Sequence, residues 1–389
     1  MLFLFPTNKP TLSNVSACSN GDHFSIIFVM SFNFILICKV KNYYMIELNY
    51  NLVVMKMFKF LLFPFGVLYF LVTSIRNKFY DFNLFKSFSY KVPLIGIGNL
   101  SSGGTGKTPM VEYLIRNFSK KYNTVLISRG YKRSTNGYVR ANNKSNPSSI
   151  GDEPFQIFNK FKNINTVVDS NRVRGVSNIL TEEPSTELVV LDDCFQHRQI
   201  NLKLNILLTT YNSPFYNDFI IPIGNLREKR KGYKRADVLI VTKCPDLISK
   251  DEMDSIRKKI NLYDYQNLFF TKIKYDNNLK GDMKLNLDKI EKSIILVTGI
   301  AKSEPVISFL NKSSIDFEHI SFSDHFNYSQ NDIDKIEKDH NKLIVTTEKD
   351  FQKIQLLNRK NKWVYLEIKI KFLENEPLFN SLVKQAIIS

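Results

Sequence analysis

The chain has 389 residues, 43% of them hydrophobic and 23% charged, which excludes a disordered or fibrous polymer and leaves room for two domains of ordinary size. A net charge of +17 calls for an anionic neighbour such as nucleic acid, an acidic membrane surface or a phosphorylated substrate, although a Lys- and Asn-rich composition also arises from genome bias with no partner at all. The cysteines Cys18, Cys38, Cys194 and Cys244 have neither metal-ligand spacing nor disulfide density, which points to a reducing compartment.

Two apolar stretches come first, Phe24 to Cys38 and Phe60 to Val72. A helix over the second rises only about 20 Å, against about 30 Å of hydrocarbon in a bilayer. Lys56, Lys59, Arg76 and Lys78 flank it and Pro64 and Gly66 interrupt it, a pattern that fits a segment lying in the membrane interface better than a spanning helix. A plain core helix is the competing reading. A cleaved signal peptide fits less well, because no small-x-small site follows.

The most informative stretch is Val92-Pro-Leu-Ile-Gly-Ile-Gly-Asn-Leu-Ser-Ser-Gly-Gly-Thr-Gly-Lys-Thr-Pro109, an apolar run entering a glycine-rich turn that ends in Gly-Lys-Thr. Such a turn cradles phosphate: glycines let backbone N–H groups point at phosphate oxygens, Lys107 reaches the β/γ-phosphates and the Thr108 hydroxyl helps hold Mg²⁺. The cradle residues are Ser101, Ser102, Gly103, Gly104, Thr105, Gly106, Lys107 and Thr108, with Ser101 where the strict pattern has glycine. A helix is predicted from about Pro109, its positive dipole end facing the anion. The bland reading is an ordinary strand-to-helix turn.

Beyond it, short apolar runs alternate with longer amphipathic segments, which predicts an α/β fold with a mainly parallel, P-loop NTPase-like sheet. Strands are predicted at Leu94 to Gly98, Thr124 to Ser128, Leu188 to Leu191, Leu204 to Leu208 and Val238 to Thr242, with Ser134 to Ile150 as a loop or small hairpin over the edge. In Glu187-Leu-Val-Val-Leu-Asp-Asp193 an apolar strand delivers carboxylates opposite the lysine, making Asp192 and Asp193 Mg²⁺ candidates, whereas two aspartates at a strand end also serve simply as turn caps. Gly151-Asp-Glu-Pro154 alone reads as a helix start, and Arg129, Arg133, Arg172 and Arg174 read individually as surface charge. The Lys- and Asp-rich stretch Lys250 to Lys292 is taken as the join to a second unit, with strands at Ile294 to Thr298, Leu343 to Thr346 and Trp363 to Ile368 and helices around Glu304 to Asn311 and Asp332 to His340. The expected division is therefore an extension (1–54), a hydrophobic interface segment (55–90), a P-loop core (91–290) and a smaller C-terminal α/β domain (291–389).

Taken in order, Gly98 to Pro109, Ser128-Arg-Gly-Tyr131, Gly151-Asp-Glu-Pro154, Arg172-Val-Arg-Gly175, Asp192-Asp-Cys-Phe-Gln-His197, Leu226-Arg-Glu228, Asp324-His-Phe326 and Thr346-Thr-Glu-Lys-Asp350 resemble the tetraacyldisaccharide 4′-kinase family of lipid A biosynthesis. The resemblance runs from about Met55 to the C-terminus. It implies an ATP- and Mg²⁺-dependent transferase acting on the 4′-hydroxyl of an acylated disaccharide 1-phosphate, peripheral to the cytoplasmic face of the inner membrane, with no nucleic-acid partner. It further implies Asp152 as the base near the sugar hydroxyl with His325 as its partner, and Lys107 on the transferred phosphate. Thr108, Asp192 or Asp193, and Glu228 would organise Mg²⁺, and Arg129, Tyr131, Gln196 and His197 would line the acceptor side.

Two departures accompany it. The family usually has glycine where Cys194 stands, and residues 1 to about 54 have no counterpart, as expected of an upstream-extended reading frame whose start is Met55 or Met57. Thr347 to Asp350 also reads as a plain helix cap. The runner-up function is a P-loop GTPase or ATPase of the metallochaperone or protein-targeting type. Its guanine-reading Asn-Lys-x-Asp has only Thr242-Lys-Cys-Pro245 as a counterpart, without the aspartate. A nucleic-acid module would cluster its basic residues among aromatics, whereas here they are spread along the chain.

Overall fold

The computed structural model describes residues 25–29, 33–40 and 42–389 except 339–341. The chain divides into two units, residues 1–72 with 220–224, and residues 73–219 with 225–389. In the first, β1 (Ser25–Val29), β2 (Asn33–Val40) and β3 (Asn42–Asn49) form an antiparallel sheet, and α1 (Tyr50–Asp81) begins. Of the apolar stretch Phe24 to Cys38, Phe24 and residues 30–32 lie outside the described residues and the rest is in β1 and β2. The second stretch is part of the 32-residue α1, longer than its apolar run. Among the described residues no helix is long and apolar enough to cross a membrane.

The second unit carries β4 (Leu94–Asn99), α2 (Lys107–Phe118), β5 (Thr124–Ser128), β6 (Val139–Arg140), α3 (Pro147–Ile150), α4 (Asp152–Lys160), β7 (Asn165–Val168), α5 (Arg172–Glu182), β8 (Leu188–Asp192), β9 (Leu204–Thr210), β10 (Val238–Thr242), α6 (Lys250–Ile260) and β11 (Asn267–Tyr275). There follow β12 (Asn278–Gly281), β13 (Leu285–Asn286), β14 (Ile294–Thr298), α7 (Glu304–Lys312), β15 (Phe317–Ser321), α8 (Gln330–Ile336), β16 (Ile344–Thr347), α9 (Glu348–Ile354), β17 (Trp363–Leu366), β18 (Ile368–Phe372) and α10 (Glu376–Ile388). The end of the helix predicted at Asp332 to His340 lies outside the described residues.

A nine-stranded sheet runs β18-β11-β10-β9-β4-β8-β5-β7-β6, parallel from β11 to β7 and antiparallel only at its two edges. Its central strands are continuous apolar runs because helices cover both faces. The order reverses at β4, so the glycine-rich turn and Asp192 leave neighbouring strands at the carboxyl edge, where ligands of open α/β sheets collect. A second sheet runs β13-β12-β17-β16-β14-β15.

The stretch Lys250 to Lys292, expected as a join, is instead built structure: α6, β11 of the large sheet and the first strands of the small one. The amphipathic α6 buries Met253, Ile256 and Ile260 and leaves its charges in water, which explains its polar look in sequence. The end of the chain also returns to the large sheet. β18 pairs with β11, and Phe379 of α10 packs against Phe372 and Phe269 at centroid distances of 4.8 and 5.4 Å. The two sheets therefore do not follow a single cut near residue 290.

Candidate active site

The cradle is shaped by what its backbone must avoid. A Cβ on Gly98 would fall 2.7 Å from the backbone nitrogen of Phe195, so the turns after β4 and β8 touch only because position 98 has no side chain. Gly103 and Gly106 take φ of +105° and +88°, where a side chain is strained. Asn99 holds the loop from inside, its Nδ2 donating to Ser101 O at 2.6 Å and Thr105 Oγ1 at 3.0 Å, while Thr242 Oγ1 donates to Thr105 O at 2.7 Å. Ser102 N–H is spent on Asn225 O at 2.7 Å and Ser101 bridges Leu226, so these two residues fasten the loop to the 225–227 segment. The open N–H groups of a helix start belong to the residues around Gly106. The helix begins at Lys107, two residues before the position expected from sequence.

Lys107 Nζ lies 3.4 Å from Asn99 Oδ1 and 3.4 Å from Asp193 Oδ1. Asp193 also takes two hydrogen bonds from Arg227 Nη1, at 2.9 and 3.1 Å. Burial alone would raise its carboxyl, but Lys107 and Arg227 outweigh it and hold Asp193 below the usual carboxylate range. Asp192 behaves oppositely. Burial pushes it up to about 6, against the pull of Lys107 and with the help of Asp193 and Glu153. Its Oδ2 accepts from Ser128 Oγ at 3.1 Å, whereas among the described residues its buried Oδ1 has no partner. An orphaned carboxylate oxygen in such a place is costly unless a cation meets it, so this donor set fits a hard divalent ion.

Arg172, read from sequence as surface charge, is instead one of the largest fully buried side chains. It donates to the carbonyls of Asp169 and Asp192 at 2.5 and 2.9 Å, tying α5 to the end of β8. Cys194 is accommodated without reshaping β4, because its Sγ fills the space that a Cβ on Gly96 would need at 2.6 Å. Burial pushes its thiol up to about 12, so it stays protonated and inert. The left-handed φ of +48° falls on Asp193, one residue earlier than the usual family glycine.

Glu228, expected to help organise Mg²⁺, also has a structural role. Its carboxylate accepts from Asn77 Nδ2 at 2.8 Å, Gln196 Nε2 at 3.2 Å and Arg235 Nη2 at 2.7 Å, so it braces α1 and the Gln196 turn. Gln196 also donates to Asn99 O at 2.9 Å. His197 is half-buried, and burial reinforced by Arg172 lowers it to about 4, which leaves a neutral imidazole. Arg129 and Tyr131 are exposed.

The second cluster forms where α4 meets the small sheet. A Cβ on Gly151, at φ +93°, would fall 3.0 Å from Tyr131 O, so only glycine fits this approach, and α4 starts at Asp152. Asp152 Oδ2 lies 2.8 Å from His325 Nδ1, although 173 residues separate them in sequence. The Tyr131 ring stands edge-on to His325 at 5.9 Å. Sequence reasoning missed two further members, Lys353 and Lys349, which α9 presents to Asp152 and His325. Their only signal was the Thr-Thr-Glu-Lys-Asp motif, which does cap a helix, Thr347 accepting from Asp350 N–H.

The family model for tetraacyldisaccharide-1-P 4′-kinase matches residues 58–387. The chain belongs to that family. It is 41% identical to the tetraacyldisaccharide 4′-kinase of Flavobacterium johnsoniae, over 86% of this chain and 98% of that one. It is 42% identical to the enzyme of the same name from Bacteroides thetaiotaomicron, over 81% of this chain and 89% of the relative. LpxK from Aquifex aeolicus, solved in complex with ATP, superimposes with a TM-score of 0.71 at 28% identity, covering 85% of this chain and 99% of that one. A member of this family is a kinase, and the P-loop α/β fold expected from sequence is the fold observed.

Proposed function

We propose that the chain transfers the γ-phosphate of ATP to the 4′-hydroxyl of a tetraacyldisaccharide 1-phosphate, a lipid A precursor, at the cytoplasmic surface of the inner membrane. The observation that carries the reading is the Asp152–His325 hydrogen bond at 2.8 Å in a chain that also has a phosphate cradle. A hydrolase needs only to place water, whereas a kinase for an alcohol needs a base aimed at a hydroxyl. Thr242, in the segment that a GTPase would use to read guanine, is spent on buttressing Thr105.

In this mechanism the acceptor hydroxyl gives its proton to Asp152 as its oxygen bonds to the γ-phosphorus and the bond to the bridging oxygen breaks, releasing ADP. Lys107 neutralises charge on the transferred group, and Arg227 keeps Asp193 ionised beside it. Thr108, Asp192 and Asp193 would hold Mg²⁺, whose chemistry is neutralisation of the phosphate chain. Glu228 would join them through the acceptor site on Oε2 that its three donors leave over. Arg129, Tyr131, Gln196 and His197 are assigned to the acceptor side. The membrane assignment is supported by the bare apolar surface of α1, where Leu61 is 73% and Phe65 63% exposed.

Transfer of labelled γ-phosphate to a lipid A disaccharide precursor in detergent micelles tests the reading. Wild-type protein should phosphorylate it, and folded Lys107→Ala should lose about two decades of rate or more. Undiminished turnover by that variant, or no transfer by the wild type, would overturn it.

A further inference from the structure

Asp152 and His325 do not stand alone. Lys349 and Lys353 are four residues apart on α9 and so share one face of it. Lys353, 8% exposed, places Nζ 2.7 Å from Asp152 Oδ2 and 3.1 Å from Phe326 O. Lys349 Nζ lies 3.2 Å from His325 Nε2, 3.3 Å from Asp324 Oδ1 and 3.9 Å from Glu153 Oε1.

An ammonium group has donors and no acceptor. In its contact with Lys349, His325 Nε2 must therefore be the bare nitrogen, so the ring proton is on Nδ1 and is donated to Asp152 Oδ2. That oxygen receives a second donor from Lys353. Among the described residues no group donates to Oδ1, which is left as the open oxygen of the carboxylate. The left-handed φ of +61° at His325 adds to the constraint, since a non-glycine residue holds it only where its surroundings impose it.

We propose that Lys349 and Lys353 are positioning residues for phosphoryl transfer: they fix the Nδ1–H tautomer of His325 and occupy Asp152 Oδ2, so that Oδ1 alone faces the acceptor hydroxyl. The proposal rests on the reading of Asp152 as the base. It gives the Thr-Thr-Glu-Lys-Asp segment a role beyond its cap, because one short helix delivers both ammonium groups across from α4. The contacts around the pair are Lys353 at Asp152, and Asp324, Lys349 and Tyr131 at His325, with Glu153 against Lys349.

The test combines ¹⁵N NMR of the histidine rings with steady-state kinetics on the full chain in micelles. In the wild type, His325 should carry its proton on Nδ1. Lys349→Met should release the tautomer preference and lower kcat about tenfold or more while KM for ATP stays within about twofold, as expected when orientation and not nucleotide binding is lost. Lys349→Arg, whose guanidinium is also only a donor, should restore both. Lys353→Met should lower kcat by about 10²-fold with the same unchanged KM. An Nε2–H ring in the wild type, or full kcat in Lys349→Met, would overturn the proposal, and neither depends on Lys353→Met folding. Asp152→Asn separates the two ideas: if it keeps wild-type transfer, the base assignment itself fails, whereas an inactive Asp152→Asn beside a fully active Lys349→Met defeats only the lysine proposal.

Discussion

Lys160→Met is the sharpest test of how the catalytic elements are held together. Lys160 ends α4, and its Nζ lies 2.5 Å from Glu112 of α2, 2.8 Å from Glu348 of α9 and 2.7 Å from Glu367, with only 10% of the side chain exposed. One ammonium thus joins the phosphate-cradle helix, the helix that begins with Asp152 and the helix that carries Lys349 and Lys353. Arg116 at 2.9 Å and Lys280 at 2.6 Å neutralise part of Glu367, but the opposing charges at Glu112 and Glu348 depend mainly on Lys160. Removing one partner of a buried ion cluster costs about 3–5 kcal/mol because the others remain charged and desolvated. At about 2 °C per kcal/mol for a unit this large, the melting temperature should fall by about 6–10 °C.

The sign of the pH dependence follows from Glu348. Burial and then Glu112 raise it from 4.5 to about 7 despite Lys160, so the folded state binds more protons than the unfolded one between those values. Its contribution therefore weakens as pH rises through that window. Without Lys160 the carboxyls favour protonation still more, so the defect should be largest at pH 8 and shrink at pH 5.5. Adding Glu348→Gln should recover part of the loss. Thermal melts followed by circular dichroism at the two pH values decide it; a shift under about 1 °C at pH 8, or equal losses at both, would refute the reasoning.

Gly98→Ala should destabilise by about 1–3 kcal/mol in chemical denaturation and cut kinase activity as well, because the new Cβ would sit 2.5 Å from Phe195 Cβ and displace the turn bearing Asp192 and Asp193. Replacing Phe63, Phe65 and Leu68 of α1 with Ser should weaken sedimentation with anionic vesicles while leaving any slow ATP hydrolysis unchanged, since these side chains are exposed and apolar. Equal vesicle binding by the triple variant would assign membrane attachment to another surface.

Much of the site is local in sequence and could be read there. The apolar runs of β4, β5, β8, β9 and β10 needed no partner to be recognised, because strands buried on both faces are hydrophobic throughout. The cradle was legible because glycine at positive φ followed by Gly-Lys-Thr has a local steric and electrostatic cause, and Asp192 and Asp193 were legible from their place at the end of an apolar strand. Other features were out of reach because long-range contacts make them. Arg172 looks like any loop arginine until the folded chain sets two carbonyls before its guanidinium. Glu228 looks like a free carboxylate until Asn77, Gln196 and Arg235 close around it. The pairing of β18 with β11, and the meeting of Lys160, Glu348, Lys349 and Lys353 with elements up to two hundred residues away, depend on loop closures that no local pattern encodes. Residue types and short spacings therefore determined which chemistry this chain carries, because phosphate binding is built from one contiguous turn. Only the tertiary structure decided which charges hold that chemistry in place, because a charge takes its role from the partners and the burial that folding imposes on it.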